Sequence, residues 1–320
     1  MRQAVRDIAA EAEGLLVVDK PAGRTSHDVV QAVKTAFGAR KAGHLGTLDP
    51  MATGVLVVCI GQATKAARFV ADHDKEYEGT MVPGAQTDTW DSEGEVIDRR
   101  DASHVTEFSV REVFADMIGE IKLPIPPFSA IKRGGEPLYR KARRGEEIEP
   151  IERSSRVDEL ELLSFESEWV RFRCVVSRGT YVRSIVYEAG IRLGTGAYLG
   201  SLRRTRSGIH RIGDSMPLAG IESNIGKDMI MDKLIPLRYA LTDMPELLLE
   251  GDINVRVQNG GAVSVGDLQK GNIRLNGDGT AMLFKAIDPE GRLVAVMERS
   301  EKGKGAEKWK PVRVWKRENA

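Results

Sequence analysis

The chain has 320 residues, with 47 basic and 47 acidic side chains and therefore no net charge at pH 7. This length predicts two domains, and 41% hydrophobic with 29% charged residues excludes collagen-like, mucin-like and wholly disordered chains. The longest apolar run, residues 55–60, has the length of a strand and not of a membrane span.

The N-terminal segment mixes charged residues with alanines. Residues 1–14 contain no apolar run of the kind found in secretory signals, so we expect no export. Cys59 and Cys174 stand in strand-like apolar runs, and two cysteines are too few for a disulfide framework or a four-cysteine zinc site. They predict buried thiols in a reducing compartment, and hence a cytoplasmic protein.

Hydrophobic patterning predicts strands and helices in alternation near the N-terminus. An apolar strand covers residues 15–18. Ser26 is the predicted N-cap of a helix that Gly38 terminates. A polar, glycine-rich loop at residues 43–54 then leads into a buried strand at residues 55–60, and a further helix follows.

The middle of the chain predicts a strand, a loop, a helix and an insertion. Residues 76–82 read as the strand, residues 86–94 as a polar loop, and the apolar spacing around Val113 indicates the helix. Three prolines open a segment that extends from Pro124 to about residue 151. Its paired glycines and dense arginines predict an irregular, mobile, basic insertion outside the core.

Two strands and a helix follow the insertion. Residues 157–165 and 169–176 are predicted strands, and the second alternates apolar and basic side chains, which indicates one buried face. Thr180 is the predicted cap of the next helix. Because strands and helices alternate without a regular βαβ rhythm, we predict an α+β fold with a mixed or antiparallel sheet.

The character of the sequence changes at about residues 241–250. Short β-like runs at residues 281–287, 293–298 and 312–315 are separated by turn signals rich in glycine and asparagine. This pattern predicts a small, independent, β-rich C-terminal domain with a compact barrel.

One loop stands out as a candidate for chemistry. The sequence has no phosphate-binding loop, paired-histidine zinc motif, nucleophile elbow or dinucleotide fingerprint, so nothing indicates a nucleotide or metal cofactor. Residues 43–50 read GHLGTLDP, with a histidine and a carboxylate between two predicted elements. Functional groups often lie on such loops. Spacing alone nevertheless favours a tight structural turn in which Asp49 accepts backbone N–H groups.

This loop resembles the catalytic loop of the pseudouridine synthase family that contains TruB and dyskerin. Further segments resemble that family's other motifs, in the same order, over about residues 14–240. They are VDKPAG at 18–23 with Thr25-Ser26, KEY at 75–77, PFSAIK at 127–132 with Leu138-Tyr139, RGTYVRS at 178–184, and LRRT at 202–205. Two positions depart from the bacterial pattern, Leu45 in place of a common Thr and Phe128 where Met-Tyr often precedes Ser-Ala. Leu45 raises the question of how the loop meets RNA.

The resemblance implies the fold and the domain organisation. Residues 1–245 would form the α+β pseudouridine synthase catalytic domain, with a mixed or antiparallel sheet and a thumb insertion at about residues 123–152. Residues 246–320 would form a small β-rich, PUA-like domain that binds RNA. The C-terminal part matches the family less clearly than the rest does.

The resemblance also implies the reaction, in which the N1–C1′ bond of a uridine breaks and the base rejoins through C5. No atom is gained or lost, so no cofactor and no metal are implied. Asp49 matches the catalytic aspartate, and Arg183 matches the arginine that keeps this carboxylate charged. Tyr77 matches the tyrosine that stacks on the target base and assists proton removal. Whether Asp49 attacks C1′ or C6, or acts through a glycal, stays open.

Other residues match the family's RNA contacts. Tyr181 and Leu202 line the uridine pocket with Tyr77, and His44 contacts the RNA loop as the target base flips out, a step that costs a few kcal/mol. For Lys20 and Pro21 we favour a structural role near the pocket. Zero net charge argues mildly against nucleic acid, but clustered arginines at residues 133–144 and 203–211 predict phosphate clamps on one face. For any single arginine a solvated surface is the alternative.

Taken together, the motifs predict a tRNA pseudouridine-55 synthase. We expect it to act on the uridine of the T-arm stem-loop as a monomer, without guide RNA, membrane or obligate protein partner. One alternative is a guide-dependent, dyskerin-like subunit, which the neutral charge and the absence of a lysine-rich extension disfavour. The other is a non-catalytic RNA-binding module, which the intact Asp49–Tyr77–Arg183 set disfavours.

Overall fold

The structure, a computed structural model, describes residues 13–70, 73–146, 149–166, 168–223, 227–271, 273–278, 280–300 and 308–315. Most of the N-terminal segment for which we expected no export signal lies outside these ranges. Within the described ranges, no helix is both long and apolar enough to span a membrane. The described residues form a ten-stranded sheet, a six-stranded sheet and two small two-stranded sheets, with helices packed against the larger ones.

The first part of the chain contains fourteen strands and eight α-helices among the described residues. The strands are β1 (Gly14–Lys20), β2 (Ala42–His44), β3 (Thr53–Ile60), β4 (Lys75–Pro83), β5 (Ala85–Thr87), β6 (Val96–Arg99), β7 (Gly119–Pro124), β8 (Lys132–Arg133), β9 (Glu136–Pro137), β10 (Glu152–Phe165), β11 (Val170–Val176), β12 (Ala197–Ser207), β13 (His210–Arg211) and β14 (Met216–Pro217). The helices are α1 (Ser26–Phe37), α2 (Ala67–Val70), α3 (Glu107–Ala115), α4 (Leu138–Arg143), α5 (Val182–Arg192), α6 (Leu218–Glu222), α7 (Lys227–Asp232) and α8 (Leu237–Ala240). Two 3₁₀ turns cover Gly61–Ala66 and Ile212–Asp214.

The large sheet is mixed, as predicted. Its strands follow the order β14-β1-β3-β12-β4-β11-β10-β7, with β2 added beside β3 and β13 beside β12. The pairs β1–β14 and β3–β12 are parallel, and the other pairs of this sheet are antiparallel. The LRRT segment at residues 202–205 lies on β12. Because β12 lies between β3 and β4, this segment is at the centre of the sheet. The α+β prediction is confirmed.

The N-caps of two helices lie one residue from their predicted positions, one residue earlier for α1 and one residue later for α5. The N-cap of α1 is Thr25, which forms a reciprocal capping box with Asp28. Ser26 is instead buried in the first turn, where its hydroxyl bonds both the N–H and the C=O of Leu48 at 2.9 Å. Similarly, the N-cap position of α5 is Tyr181, and no side chain caps it. For Ser26, a contact with a distant loop decides the role of the side chain, which local propensity does not reveal.

The basic insertion is more regular than predicted. It connects β7 to β10, which pair antiparallel with Glu152 opposite Pro124. Between them lie the β8–β9 hairpin and helix α4. Leu138, at the start of α4, is 1% exposed, and its N–H donates to the carbonyl of Ile131. This bond holds the start of α4 against the segment that precedes the β8–β9 hairpin. The thumb is therefore a folded hairpin and helix, at the end of two paired strands.

The C-terminal part forms the second sheet. Its strands are β15 (Glu246–Leu249), β16 (Val263–Ser264), β17 (Ile273–Asn276), β18 (Leu283–Ile287), β19 (Leu293–Arg299) and β20 (Lys308–Val314), and its helices are α9 (Gly251–Gln258) and α10 (Val265–Gln269). The order is β16-β20-β19-β18-β15-β17, and the two end strands do not pair with each other in the described part of the chain. The C-terminal part is therefore β-rich, as predicted, although hydrogen bonds do not close the predicted compact barrel among the described residues. The predicted strands correspond to β18, β19 and β20, while the helices were not predicted.

The ten-stranded and the six-stranded sheet share a hydrophobic core. Side chains of β1 and β3 form one buried cluster with Val296 and Trp315 of the C-terminal part. The indole N–H of Trp315 donates to the carbonyl of Gln62 at 3.1 Å, and Arg68 donates to the carbonyl of Val312 at 3.0 Å. We predicted an independent C-terminal domain, but this shared core ties its stability to that of the first part.

Trp315→Ala should lower the stability of the whole chain. Its side chain is 6% exposed in the shared cluster, so the substitution creates a cavity and removes the hydrogen bond to the Gln62 carbonyl. We expect a loss of about 3–5 kcal/mol. Urea unfolding followed by circular dichroism measures this loss, with the 60%-exposed Tyr239→Ala as the matched aromatic control. A loss no larger than that of the control would show that the cluster contributes little.

Candidate active site

Asp49 lies on a short loop between two adjacent strands. The loop, residues 45–52 (the Asp49 loop), connects β2 to β3, which pair antiparallel. It turns back on itself through a hydrogen bond from the N–H of Ala52 to the carbonyl of Asp49 at 3.1 Å, and the N–H of Leu45 bonds the carbonyl of Val57 at 2.8 Å. The Asp49 side chain keeps 32% of its surface exposed, so a ligand can reach it.

Three buried side chains from other parts of the chain hold the Asp49 loop. Ser26 bonds the backbone of Leu48 twice, as described above. Lys20, which is completely buried, donates to the carbonyl of Pro50 at 3.0 Å and to two further carbonyls in its own turn. Arg204, also completely buried, donates to the carbonyl of Gly46 at 3.1 Å. The position of Asp49 is therefore fixed from both sides of the loop.

The environment of Lys20 is unusual for an amine. Burial lowers its pKa to about 8, and the nearby charges of Glu93 and Asp49 oppose that shift. Its three N–H groups match the three carbonyls that surround it, which is what keeps a buried ammonium in place. The structural role that we favoured for Lys20 agrees with these contacts.

Arg183 is bound to Asp49. Its Nη2 donates to Oδ1 at 3.2 Å, and its Nε lies 3.0 Å from Oδ2. Nε has no acceptor in hydrogen-bonding geometry, so the second contact is ionic. The Arg183 side chain is only 5% exposed, and it reaches the loop from the first turn of α5. Arg183 therefore holds the carboxylate of Asp49 through one hydrogen bond and one ionic contact.

The other side of Arg183 contacts a segment to which the sequence analysis gave no role. Nη1 donates to the carbonyl of Thr89 at 2.9 Å and lies 3.4 Å from the buried carboxylate of Asp91. Between them Trp90 has φ 63°, in the left-handed region, and its ring stacks on Tyr187 at 4.0 Å. A bulky residue there is strained, and such strain persists only where contacts enforce it. We predicted this segment only as a polar loop, and no local signal links Asp91 to Arg183.

The thumb also reaches Arg183. The carbonyl of Phe128 accepts a hydrogen bond from Nη2 at 3.1 Å. Because only the backbone is used, the departure from the family pattern at this position leaves the contact intact. Arg183 therefore joins the Asp49 loop, the segment at residues 89–91 and the base of the thumb.

Tyr77 lies on β4, in the middle of the sheet, with 6% of its surface exposed. Burial raises the pKa of its phenol, the positive charge of Arg204 opposes this, and the charge of Asp49 adds to it. Leu202, on the neighbouring strand β12, pairs with Gly79 two residues along β4 and is 8% exposed. The sheet thus holds the aromatic and the aliphatic residue side by side.

Two further predicted site residues lie around the Asp49 loop. Tyr181 is close enough to sense the charge of Asp49, and His44 directly precedes the loop. Burial raises the pKa of Tyr181, and the charge of Asp49 contributes to the shift. His44 ends β2 opposite Val58, and burial lowers its pKa, so the imidazole is neutral at pH 7. Its Nδ1 is buried without a hydrogen-bond partner among the described residues. The neighbouring Leu45 is 4% exposed and packs in the core shared with β3, so it faces away from solvent.

Many of the arginines predicted as phosphate clamps are bound to carboxylates. In the thumb, Arg133 pairs with Glu149 and Arg144 with Glu136 and Glu146. On β12, Arg203 pairs with Asp19 at 2.8 Å. Helix α4 also carries three cations that form no ion pair within the described residues, namely Arg140, Lys141 and Arg143. These three are the better candidates for phosphate contact. The described residues contain no group of three or more metal-ligating side chains.

Comparison with known proteins gives the family. Residues 34–182 match the description "TruB family pseudouridylate synthase (N terminal domain)". A protein of Saccharophagus degradans named tRNA pseudouridine synthase B is 39% identical over 301 residues, which is 92% of this chain and 94% of that protein. The chain belongs to the TruB family of pseudouridine synthases. A second relative with the same name, from Syntrophotalea carbinolica, is 42% identical over 234 residues, 73% of this chain and 76% of its own.

Solved structures extend the TruB-family likeness to the fold. The chain matches a protein in the "Crystal Structure of a Cbf5-Nop10-Gar1 Complex" with a TM-score of 0.69 and 27% identity, over 97% of this chain and 86% of that one. It matches "Structure of H/ACA RNP bound to a substrate RNA containing 2'-deoxyuridine" with a TM-score of 0.69 and 25% identity, over 98% and 87%. The predicted family, fold class and enzyme class are confirmed.

Proposed function

We propose that this TruB-family enzyme is a tRNA pseudouridine-55 synthase that acts on the uridine of the T-arm stem-loop without guide RNA. The observation that carries the proposal is the contact between Asp49 and the buried Arg183, on a loop that three further side chains hold. It provides a partly exposed carboxylate held by a buried guanidinium, and such a carboxylate can act on a uridine as nucleophile or electrostatic stabiliser. The curated relatives named tRNA pseudouridine synthase B support the substrate.

In this proposal each site residue has a defined role. Asp49 is the carboxylate that acts at the target nucleotide, and Arg183 holds and orients it. Tyr77 stacks on the flipped base and assists removal of the C5 proton. Tyr181 and Leu202 line the pocket that receives this base. A fixed carboxylate beside a bound base needs little reorganisation during the reaction, which favours catalysis.

The RNA loop must open before the base can enter the pocket. We propose that His44 contacts the opened loop, since its neutral imidazole keeps an unpartnered nitrogen at the edge of the site. Residues 1–245 would then carry the chemistry, and the thumb at about residues 123–152 would contact the RNA backbone through α4. Residues 246–320 would bind a further part of the tRNA as a PUA-like domain. We expect a cytoplasmic enzyme that acts as a monomer.

A guide-dependent enzyme is the second candidate, because the structural neighbours are found in complexes with Nop10 and Gar1 or in an H/ACA RNP. The identity of this chain to those proteins is 25–27%, against 39% and 42% to the tRNA pseudouridine synthase B relatives. The higher identity favours the guide-independent enzyme.

Release of tritium from tRNA tests the proposal. Joining C5 to C1′ requires that the hydrogen on C5 leaves, so tRNA labelled with tritium at C5 of uridine should release one tritium per modified site. Purified protein alone should act on a bare T-arm stem-loop, and excess EDTA should leave the rate unchanged because the proposed chemistry uses only side chains. A matched RNA with cytidine in place of the target uridine is the control.

Two outcomes would contradict this function. Release that depends on added guide RNA would favour the guide-dependent enzyme. The absence of release from any tRNA would favour the non-catalytic RNA-binding protein.

A further inference from the structure

Arg204 is a completely buried arginine at the centre of the large sheet. It lies on β12, opposite Tyr77 of β4 on one side and Gly54 of β3 on the other. The approach to β3 is close, because a Cβ at Gly54 would lie 2.2 Å from the carbonyl oxygen of Arg204. Charged side chains are rarely this buried without an opposite charge as partner.

The guanidinium of Arg204 is surrounded by backbone carbonyls. Nε donates to Val55 at 2.6 Å, Nη2 to Gly46 at 3.1 Å and Nη1 to Thr47 at 3.4 Å. In the described part of the chain no carboxylate forms an ion pair with it. The carbonyls of Gly46 and Thr47 belong to the Asp49 loop, and Val55 belongs to the strand that follows this loop. One side chain therefore joins the start of the loop to the strand after it.

The same guanidinium faces the ring of Tyr77. Its central carbon lies 6.0 Å from the ring centroid, and its charge opposes the effect of burial on the phenol. A buried positive charge without a counter-ion is costly for the fold. A methionine or leucine would fill similar space without that cost. Packing alone therefore does not explain why a charged guanidinium with three N–H donors to backbone carbonyls occupies the position of Arg204.

We propose that Arg204 is a positioning residue for catalysis, which holds the Asp49 loop at a fixed distance from Tyr77 and presents a positive charge to the Tyr77 ring. This inference rests on the proposed function of Asp49 and Tyr77. The three carbonyls fix the loop through the planar fork of the guanidinium, which an ammonium cannot reproduce. The charge stabilises negative charge that develops at the phenol or the bound base during proton transfer, since it acts in a water-poor interior.

Variants at Arg204 separate positioning from plain stability. We suggest Arg204→Lys, which keeps the charge but not the fork, and Arg204→Met, which removes both. The control is Arg173→Met on β11, which lies on the other side of β4 from β12; it breaks ion pairs with Glu76, Glu159 and Glu161 and touches no part of the loop. Tritium release is measured under single-turnover conditions with saturating tRNA, at a temperature where circular dichroism shows each variant folded. Filter binding gives the Kd for the same RNA.

The expected result is a loss of rate without a loss of binding. Misplacing a catalytic group by about 1 Å costs on the order of 100-fold, so Arg204→Met should lower the single-turnover rate at least ~100-fold. Arg204→Lys should fall between Arg204→Met and the unaltered enzyme, because it retains the charge. The Kd should stay within about threefold, and folded Arg173→Met should keep its rate within about threefold, since neither change reaches the RNA contacts.

Several results would overturn the inference. A folded Arg204→Met with a rate close to that of the unaltered enzyme would show that the loop needs no such support. An equal loss of rate in Arg173→Met would assign the effect to general stability, and a rate for Arg204→Lys equal to that of Arg204→Met would remove the role of the charge. Failure of both Arg204 variants to fold would make Arg204 a structural residue only. If the unaltered protein releases no tritium, the proposed function fails, and that outcome is separate from these.

Discussion

Asp49→Asn should abolish turnover while leaving RNA binding within about tenfold. The substitution keeps the size and the hydrogen-bonding capacity of the side chain, so the Asp49 loop and its contacts to Ser26 and Lys20 should persist. It deletes the negative charge on which the proposed chemistry depends. We expect a loss of more than ~100-fold in rate, which corresponds to at least about 2.7 kcal/mol of transition-state stabilisation.

Tritium release from labelled tRNA, together with Kd from filter binding, measures both parts of this expectation. A matched control is Asp74→Asn, whose carboxylate also pairs with an arginine, Arg156, but in an exposed position. Its rate should equal that of the unaltered enzyme. Turnover of Asp49→Asn above about a hundredth of the normal rate would show that another group is essential.

Arg183→Lys should lower turnover by at least about tenfold, although the charge is conserved. The guanidinium contacts both oxygens of Asp49 and, at the same time, the carbonyls of Thr89 and Phe128. An ammonium is a single point of charge and cannot span these acceptors. The Asp49 carboxylate would lose its fixed orientation, and buried Asp91 would lose its partner at 3.4 Å.

The same variant should also unfold at a lower temperature, because breaking a buried pair leaves a carboxylate uncompensated. Tritium release and a thermal melt report the two effects. Arg156→Lys, at an exposed ion pair, is the control and should change neither by a measurable amount. Unchanged turnover in Arg183→Lys would disprove the pairing as a requirement for the reaction.

Much of the large sheet could be predicted from the sequence because its strands carry their own signal. The run at residues 55–60 is apolar throughout, as a strand buried on both faces must be, and it forms most of β3. The alternating run at residues 169–176 forms β11 with one buried face. Helix α1 ends at Gly38, as predicted, and this glycine adopts the left-handed conformation with φ 60°.

The elements that escaped prediction depend on contacts between distant segments. The cap of α1 is Thr25 and not Ser26, because the Ser26 hydroxyl bonds the backbone of Leu48, 22 residues along the chain. The short strands β15 and β17 pair with each other and carry little local pattern. Short strands of this kind gain their stability from neighbours, which a single sequence does not reveal.

The resemblance of the sequence motifs to the pseudouridine synthase family identifies Asp49, Tyr77 and Arg183 as site residues. Asp91 and Arg204 were not singled out, for two different reasons. Asp91 lies in a polar loop whose relation to Arg183 is set by the fold alone. The sequence groups Arg204 with the arginines at residues 203–211 that predict phosphate clamps, because nothing in its flanking sequence shows that it is completely buried.

The way in which the Asp49 loop is held has a consequence for how activity arises during folding. Its three supports are separated from it by 22 residues for Ser26, 30 for Lys20 and 158 for Arg204. Contacts between segments so far apart in sequence form slowly, because the intervening chain must first be ordered. The last of them requires β12 to insert between β3 and β4. Recovery of activity after dilution from denaturant should therefore lag behind the return of helical signal, and mark the moment at which the central sheet closes.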